Sequence, residues 1–319
     1  MAGELAVVLS GGGAKGAFQV GALDELIVRR GVKVDIVAGV STGAIQAIGV
    51  AQDDVPGLVD QWTSIRGNRD IYLDRPLGPL GGLVGVDALH DARPLRARLR
   101  LFVDDAKVRA TGKKLRLGVV SLQSGAYRTI DESVPGLANW VYASAAMPVF
   151  FDPLRTQAAD GAVEQWVDGG VRNVTPLADA LHLNPRGVIV IRASPTPTPA
   201  KPRRYPDLIR IGLRAVDILQ SEVSLNDTAN AELINTMIAA RGAQARALAA
   251  AGVGGAAAAA ILRPLDDQLA RYRFAPIRIV EPRVEPSDTL EFDPAKIRAA
   301  IEAGRTAIAD AWPALQALL

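Results

Sequence analysis

Two apolar runs that each end abruptly in a glycine-rich corner constrain this chain more than any other feature. Leu5-Ala-Val-Val-Leu9 reads as a buried strand that breaks into Ser10-Gly11-Gly12-Gly13-Ala14-Lys15-Gly16. From Ala14 to Arg30 the apolar positions Phe18, Ala22 and Leu26 fall at near-helical spacing. A second run, Val34 to Ala38, ends at Gly39-Val40-Ser41-Thr42-Gly43 and passes into an apolar helix through Ala44 to Ala51. Parallel strands need a crossover between them, usually a helix, so two strand-to-helix corners in succession imply a parallel sheet.

Further along, a short helix is expected from Pro56 through Trp62, followed by Pro76-Leu-Gly-Pro-Leu-Gly-Gly-Leu-Val-Gly85, an apolar segment without periodicity that suits a lid or a substrate-entry loop. Leu115 to Leu122 and Ala126 to Ile130 read as strands joined by a turn at Ser124-Gly125. Val163 to Val167 reads as another that ends at Asp168-Gly169-Gly170, and Gly187 to Arg192 as a further buried strand. The Pro-rich stretch Pro195 to Pro206 is an extended surface connection where a domain boundary is conceivable. Beyond it a long helix over Leu208 to Ala240, a strand over Pro276 to Val280 that can rejoin the sheet, and a closing helix over Pro294 to Ala311 favour a single domain. On this reading residues 1–319 are one catalytic domain, with a motif-bearing core over 1–195 and a C-terminal elaboration over 196–319. Leu248 to Leu262 is mainly Ala and Gly, an alanine-rich helix or a flexible loop, and is short of the ~20 strongly apolar residues of a membrane span.

Composition removes whole classes of chemistry. With no cysteine, disulfides, thiolate metal sites and cysteine nucleophiles are excluded together, and with only two histidines, His90 and His182, a site built from several imidazoles is impossible. The near balance of 36 basic and 34 acidic residues gives no argument for nucleic acid. Met-Ala-Gly-Glu-Leu at the start lacks a basic region, so no signal peptide is expected. The expected location is the cytoplasm, with peripheral membrane contact left open.

Gly39-Val40-Ser41-Thr42-Gly43 between strand and helix has the layout of a nucleophile elbow, in which a tight turn projects the serine hydroxyl at a helix N-terminus; the same pattern also occurs as an ordinary glycine-rich turn. Gly11, Gly12 and Gly13 let several backbone N–H groups converge, which suits a phosphate or the oxyanion of a tetrahedral acyl intermediate. Gly11, Gly13 and Gly16 also satisfy the dinucleotide-binding pattern, and a nucleotide-binding oxidoreductase is the alternative function. Against it, Asp35 has the distance of a ribose-binding acid but lies at the start of the second strand. A serine needs a base. His90, in a polar helix start, and His182, at a helix end, both read as surface residues, which leaves a carboxylate acting directly. Asp168, at the end of an apolar strand and freed by Gly169 and Gly170, is the candidate, with a simple turn aspartate as its bland reading. An aspartate is a weak base and needs a partly desolvated site that raises its proton affinity.

Taken in order, Gly11-Gly-Gly-Ala-Lys-Gly16, Gly39-Val-Ser41-Thr-Gly43 and Asp168-Gly169-Gly170 resemble the glycine-rich oxyanion motif, the nucleophile elbow and the Asp-Gly-Ala/Gly motif of the patatin-like phospholipase family. Tyr142-Ala-Ser-Ala-Ala-Met-Pro148 through Pro153 is similar to a family stretch that packs beside the active site, and the resemblance runs from residue 5 to about residue 195. It departs only in Lys15, where arginine is also frequent, and in Gly170 for alanine.

The resemblance implies a three-layer α/β/α fold with a central, mainly parallel sheet, and hydrolysis of lipid acyl esters with no metal or organic cofactor. It implies Ser41 as nucleophile, Asp168 as base and Gly11, Gly12 and Gly13 as oxyanion hole. Gly16, Gly39, Gly43, Gly169 and Gly170 support the motifs, and Lys15 is a surface or loop-shaping charge. A lipid or acyl-ester substrate calls for an apolar groove and transient contact with a membrane surface. Leu77 to Val86, Met147 to Phe151 and the basic positions Lys201, Arg203, Arg204, Arg210 and Arg214 are candidates, each also explained by ordinary packing or solvation. A catalytically inactive relative that binds lipid or protein stays open as a third function.

Overall fold

A computed structural model describes residues 3–75, 87–157 and 161–319. The expected lid segment over residues 76–86 lies outside the described residues. The first half runs β1 (Leu5–Leu9), α1 (Ala17–Leu23), β2 (Ile36–Gly39), α2 (Thr42–Ala51), α3 (Val55–Thr63), β3 (Leu73–Asp74), β4 (His90–Asp91), α4 (Arg93–Phe102) and α5 (Asp105–Ala110). The middle supplies β5 (Lys114–Ser121), β6 (Tyr127–Asp131), α6 (Leu137–Ala145), β7 (Leu154–Gln157), β8 (Val163–Asp168), α7 (Leu177–Leu181) and β9 (Gly187–Ile191). The chain ends with α8 (Leu208–Ala250), α9 (Gly255–Leu269), β10 (Ile277–Val280) and α10 (Pro294–Gln316).

The central sheet is mixed and mostly parallel, ordered β10-β9-β1-β2-β5-β8-β7, with β6 also on β5. The strands from β10 to β5 are all parallel, and β6, β7 and β8 are antiparallel additions. Full burial on both faces explains why β1 and β9 read as unbroken apolar runs. Leu5, Val7 and Leu9 face a large core shared with α1, α2, α3, α6 and α10. Ala6 and Val8 face a thinner one with Leu177 and Ala180 of α7 and Ala231 of α8. The result is a three-layer α/β/α arrangement of unequal layers, as the family resemblance implied.

Several boundaries differ from expectation. The helix expected over Ala14 to Arg30 begins as a 3-10 turn over Gly13–Gly16 and ends in wider π winding over Asp24–Arg29, where the Arg30 N–H donates to Glu25 O at 3.0 Å. The long helix continues to Ala250, and the alanine-rich stretch then crosses a turn at Gly252, φ 72°, into α9. Helices α4 and α5 go beyond the expected elements because each is short and charged, burying only Leu95 and Leu99 in α4 and Val108 in α5. Among the described residues no helix is long and apolar enough to cross a membrane.

Candidate active site

The parallel pairing of β1 with β2 puts Leu9 beside Gly39, so the two glycine corners emerge side by side at the C-terminal edge of the sheet. Ser41 takes φ 59° and ψ −127°, a left-handed conformation that costs a non-glycine residue about 1–3 kcal/mol unless its surroundings hold it. They do. The Ser41 N–H donates to Ser144 Oγ at 3.0 Å, the Ser41 carbonyl accepts the Ala44 N–H at 3.0 Å, and the Gly43 N–H donates to Val40 O at 2.9 Å. A Cβ on Gly43 would run into the Leu9 carbonyl, and one on Gly39 into the Gly43 carbonyl, so the corner closes only with glycine at both ends. Ser41 stands immediately before the first residue of α2, where the helix dipole favours negative charge.

Asp168 reaches Ser41 through an arrangement of strand edges. β2 pairs with the first half of β5, up to Gly39 beside Leu117. β8 then pairs with the second half, Asp168 beside Val119. β6 pairs Arg116 to Val120 of β5 and so takes the opposite edge. β2 and β8 therefore share one edge of β5 and meet end to end, each terminating at a corner. Asp168 is 2 % exposed, its Oδ1 accepts the Gly170 N–H at 2.7 Å, and its own N–H donates to Ala146 O at 3.0 Å. Burial pushes its carboxyl up to about 7, against the hydrogen bonds from the Ser41 side chain and the Gly170 N–H that favour the ionised form. Gly169 lets the turn press on β5, where a Cβ would lie 2.5 Å from Gly118 O.

The glycine loop divides its donors unequally. The Gly11 N–H, one of the three expected in the oxyanion hole, donates to Val174 O at 3.0 Å and so ties the loop to the turn that follows Asp168. The N–H groups of Gly12 and Gly13, and that of Thr42 at the start of α2, have no protein acceptor among the described residues. The loop lies against the nucleophile position, since a Cβ on Gly11 would sit 3.2 Å from Ser41 Cβ. Gly13 has φ 59°, and a Cβ there would strike the Thr289 carbonyl that accepts the Ala14 N–H at 2.8 Å.

Lys15 is not at the surface: it is 3 % exposed and its ammonium pairs with Asp217 at 3.0 Å and Glu285 at 2.7 Å, tying the loop to α8 and to the segment after β10. Behind the corners, two buried glutamines that sequence reasoning passed over stitch the elements together. Gln19 donates to Ser10 O at 3.0 Å and Ile191 O at 2.9 Å, and Gln46 donates to Thr42 Oγ1 at 3.0 Å and to Gly16 O at 3.3 Å. Their signal was available: each is a lone amide in an otherwise apolar helix.

Neither histidine joins the site. His90, expected at a polar helix start, stands on β4 with its ring 4.4 Å from that of Tyr72 and its Nδ1 3.0 Å from Asp74, and burial holds its pKa below the ordinary value. His182 is exposed at the end of α7. Asp35, the residue a ribose would need, accepts the Leu5 N–H at 2.9 Å at the opposite end of the sheet from the glycine loop.

From Ser41 an apolar cavity of about 80 Å³ extends between α2, α3 and α4, lined by Ile45, Leu58, Trp62, Leu99, Phe151 and Phe292 among others. Arg98 also lines it, with its guanidinium held across to α3 by the Gln61 carbonyl and by Ser64 Oγ at 2.7 Å. Of the expected groove positions Phe151 is in the wall and Val149 is 65 % exposed with φ 73°. Of the basic positions, Lys201 and Arg203 are paired with Asp288, and Arg210 with Asp207.

A serine hydroxyl in a strained corner, a carboxyl of raised proton affinity, unpaired backbone donors and an apolar cavity form a set competent for acyl transfer. The family model of the patatin-like phospholipases matches residues 7–181, more than half of the chain. The chain belongs to the patatin-like phospholipase family. This family is one of lipid acyl hydrolases, and the matched stretch contains both glycine corners and Asp168. Among solved structures, VipD from Legionella pneumophila aligns with a TM-score of 0.46 and 15 % identity over 97 % of this chain and 66 % of that one. The present chain spans a little under two thirds of the length of that protein. No curated protein matches the chain.

Proposed function

We propose that this chain is a serine hydrolase that cleaves lipid acyl esters through Ser41 and Asp168. The observation that carries the reading is the meeting of two strained or desolvated groups: Ser41 held at φ 59° and Asp168 buried beside it with its carboxyl near 7. Neither state is favourable for folding, and both suit a nucleophile and its base.

In the proposed reaction the Asp168 carboxylate accepts the Ser41 hydroxyl proton as Oγ attacks the ester carbonyl. The negative charge that develops on the carbonyl oxygen is met by the N–H groups of Gly12, Gly13 and Thr42. Collapse of the tetrahedral adduct expels the alcohol, which takes the proton from Asp168, and leaves Ser41 acylated. Water then attacks the acyl-enzyme with Asp168 again as base, releasing the fatty acid and restoring the serine. The apolar cavity beside Ser41 receives the acyl chain. These steps call on no metal or organic cofactor. Because the substrate is a lipid, the reading includes transient contact with a membrane surface, for which the exposed Val149 and Val171 are suitably placed in sequence beside cavity-lining Phe151 and beside Asp168.

Hydrolysis of a short acyl ester tests the reading. The wild-type chain is expected to turn over the ester, and Ser41→Ala and Asp168→Asn to abolish turnover with the fold intact. Full activity in either variant would reject the dyad.

A further inference from the structure

Asp227 lies on α8, outside the stretch that the family model matches, and touches neither Ser41 nor Asp168. Its carboxylate nevertheless gathers the backbone that joins the two halves of the site. Oδ2 accepts the Thr175 N–H at 3.0 Å, and the carboxylate also holds the Val174 N–H. With its amide turned to satisfy both neighbours, Asn173 donates to the same Oδ2 at 3.1 Å. One turn further back on α8, Ser224 Oγ shares a hydrogen bond of 2.7 Å with Thr175 Oγ1.

The turn held in this way is short and bridges two places. Upstream it is continuous with Asp168: the N–H groups of Arg172 and Asn173 both donate to Gly169 O, at 3.0 and 2.9 Å. Downstream the Val174 carbonyl accepts the Gly11 N–H at 3.0 Å, the contact that anchors the glycine loop. Packing on α8 does little to hold the turn, since the helix buries only Ser224, Thr228 and Ala231. Three donors converge on one carboxylate.

We propose that Asp227 is a positioning residue of the esterase reaction, which sets the geometry of the glycine loop against Asp168 by clamping the 173–175 turn. The inference rests on the proposed function. Keeping a carboxylate here runs against solvation, because burial pushes it up to about 6. A hydrophobic side chain would avoid that cost and leave three backbone and amide donors without an acceptor. Without the clamp the turn can move, the Val174 carbonyl withdraws from Gly11, and the free donors of Gly12 and Gly13 lose their aim. Misplacement of this kind lowers the rate of the chemical step more than the affinity for substrate.

The test measures short-ester hydrolysis by wild type, Asp227→Ala and Asp227→Asn, with active sites counted by fluorophosphonate titration and folding followed by thermal melts. Asp227→Ala is expected to lose about thirtyfold or more in kcat per titrated site with KM within about twofold. Asp227→Asn keeps one acceptor oxygen and is expected to lose less, about tenfold. A merely structural role would lower the melting temperature and the number of titratable sites while leaving kcat per site at the wild-type value, and that result would overturn the proposal. Should Asp227→Ala not fold, Asp227→Asn decides alone, and wild-type kcat per site in that variant overturns it. Absence of turnover and titration in the wild type would refute the esterase reading itself, which is a different outcome from an active wild type with unaffected variants.

Discussion

The backbone N–H of Ser41 is held by the hydroxyl of Ser144 at 3.0 Å, and that hydroxyl donates in turn to the Gly118 carbonyl at 2.7 Å. One buried side chain thereby joins the serine corner to β5, the strand on which β8 and its last residue Asp168 pair. Ser144→Ala leaves the Ser41 N–H buried without this acceptor and removes a support from a backbone at φ 59°. The expected outcome is a loss of about 1–3 kcal/mol in denaturant unfolding and of about tenfold or more in kcat for a short ester.

The raised proton affinity of Asp168 sets a pH dependence. A carboxyl at about 7 is protonated in acid and cannot accept the Ser41 proton. The acid limb of kcat/KM is expected to rise tenfold per pH unit and to level off near pH 7, well above the range of an ordinary aspartate. A plateau that reaches down to pH 5 would show that Asp168 is not the titrating base.

The same shift has a stability consequence of definite sign. The folded state binds the Asp168 proton more tightly than the unfolded chain, so the favourable contribution is complete below pH 4 and is lost as pH rises through about 7. Asp168→Asn removes that loss. The variant is expected to be more stable than wild type at pH 8, by up to about 4 kcal/mol, with the advantage shrinking through pH 7 and gone below pH 4. Unfolding curves at the two pH values check this.

Arg98 closes one wall of an otherwise apolar cavity by spanning to Gln61 and Ser64 of the neighbouring segment. Its burial lowers its pKa, the mark of a guanidinium kept partly out of water. Arg98→Leu is expected to extend the apolar surface and to shift preference toward longer chains, by about tenfold in the ratio of kcat/KM for a dodecanoyl over a butanoyl ester. An unchanged chain-length profile would place the acyl chain elsewhere.

The parts of the fold that local pattern encodes were legible before any coordinates. β1 and β9 are unbroken apolar runs because both faces are buried, and the corners at Gly11 and Gly39 follow from glycines placed where a strand must turn into a helix. What local pattern does not encode is who meets whom. The sharing of one β5 edge by β2 and β8, which brings Asp168 to Ser41, depends on pairing between distant segments. The Gly11 N–H goes to Val174 and the buried Lys15 ammonium to Asp217 and Glu285, partners on distant segments that the loop alone does not name. His90 was misplaced for the same reason, since the aromatic cluster of Tyr72, Phe150 and Phe151 that covers it assembles only in the fold.

The central claim is that Ser41 is a nucleophile activated by Asp168, and covalent labelling tests it without knowledge of the substrate. Incubation with an alkyl fluorophosphonate, followed by intact-mass and peptide analysis, is expected to give a single adduct on Ser41. The labelling rate should rise with an apparent pKa near 7 and be abolished or slowed at least about a hundredfold in Asp168→Asn. No adduct on folded wild-type protein, an adduct on another serine, or undiminished labelling of Asp168→Asn would contradict the account.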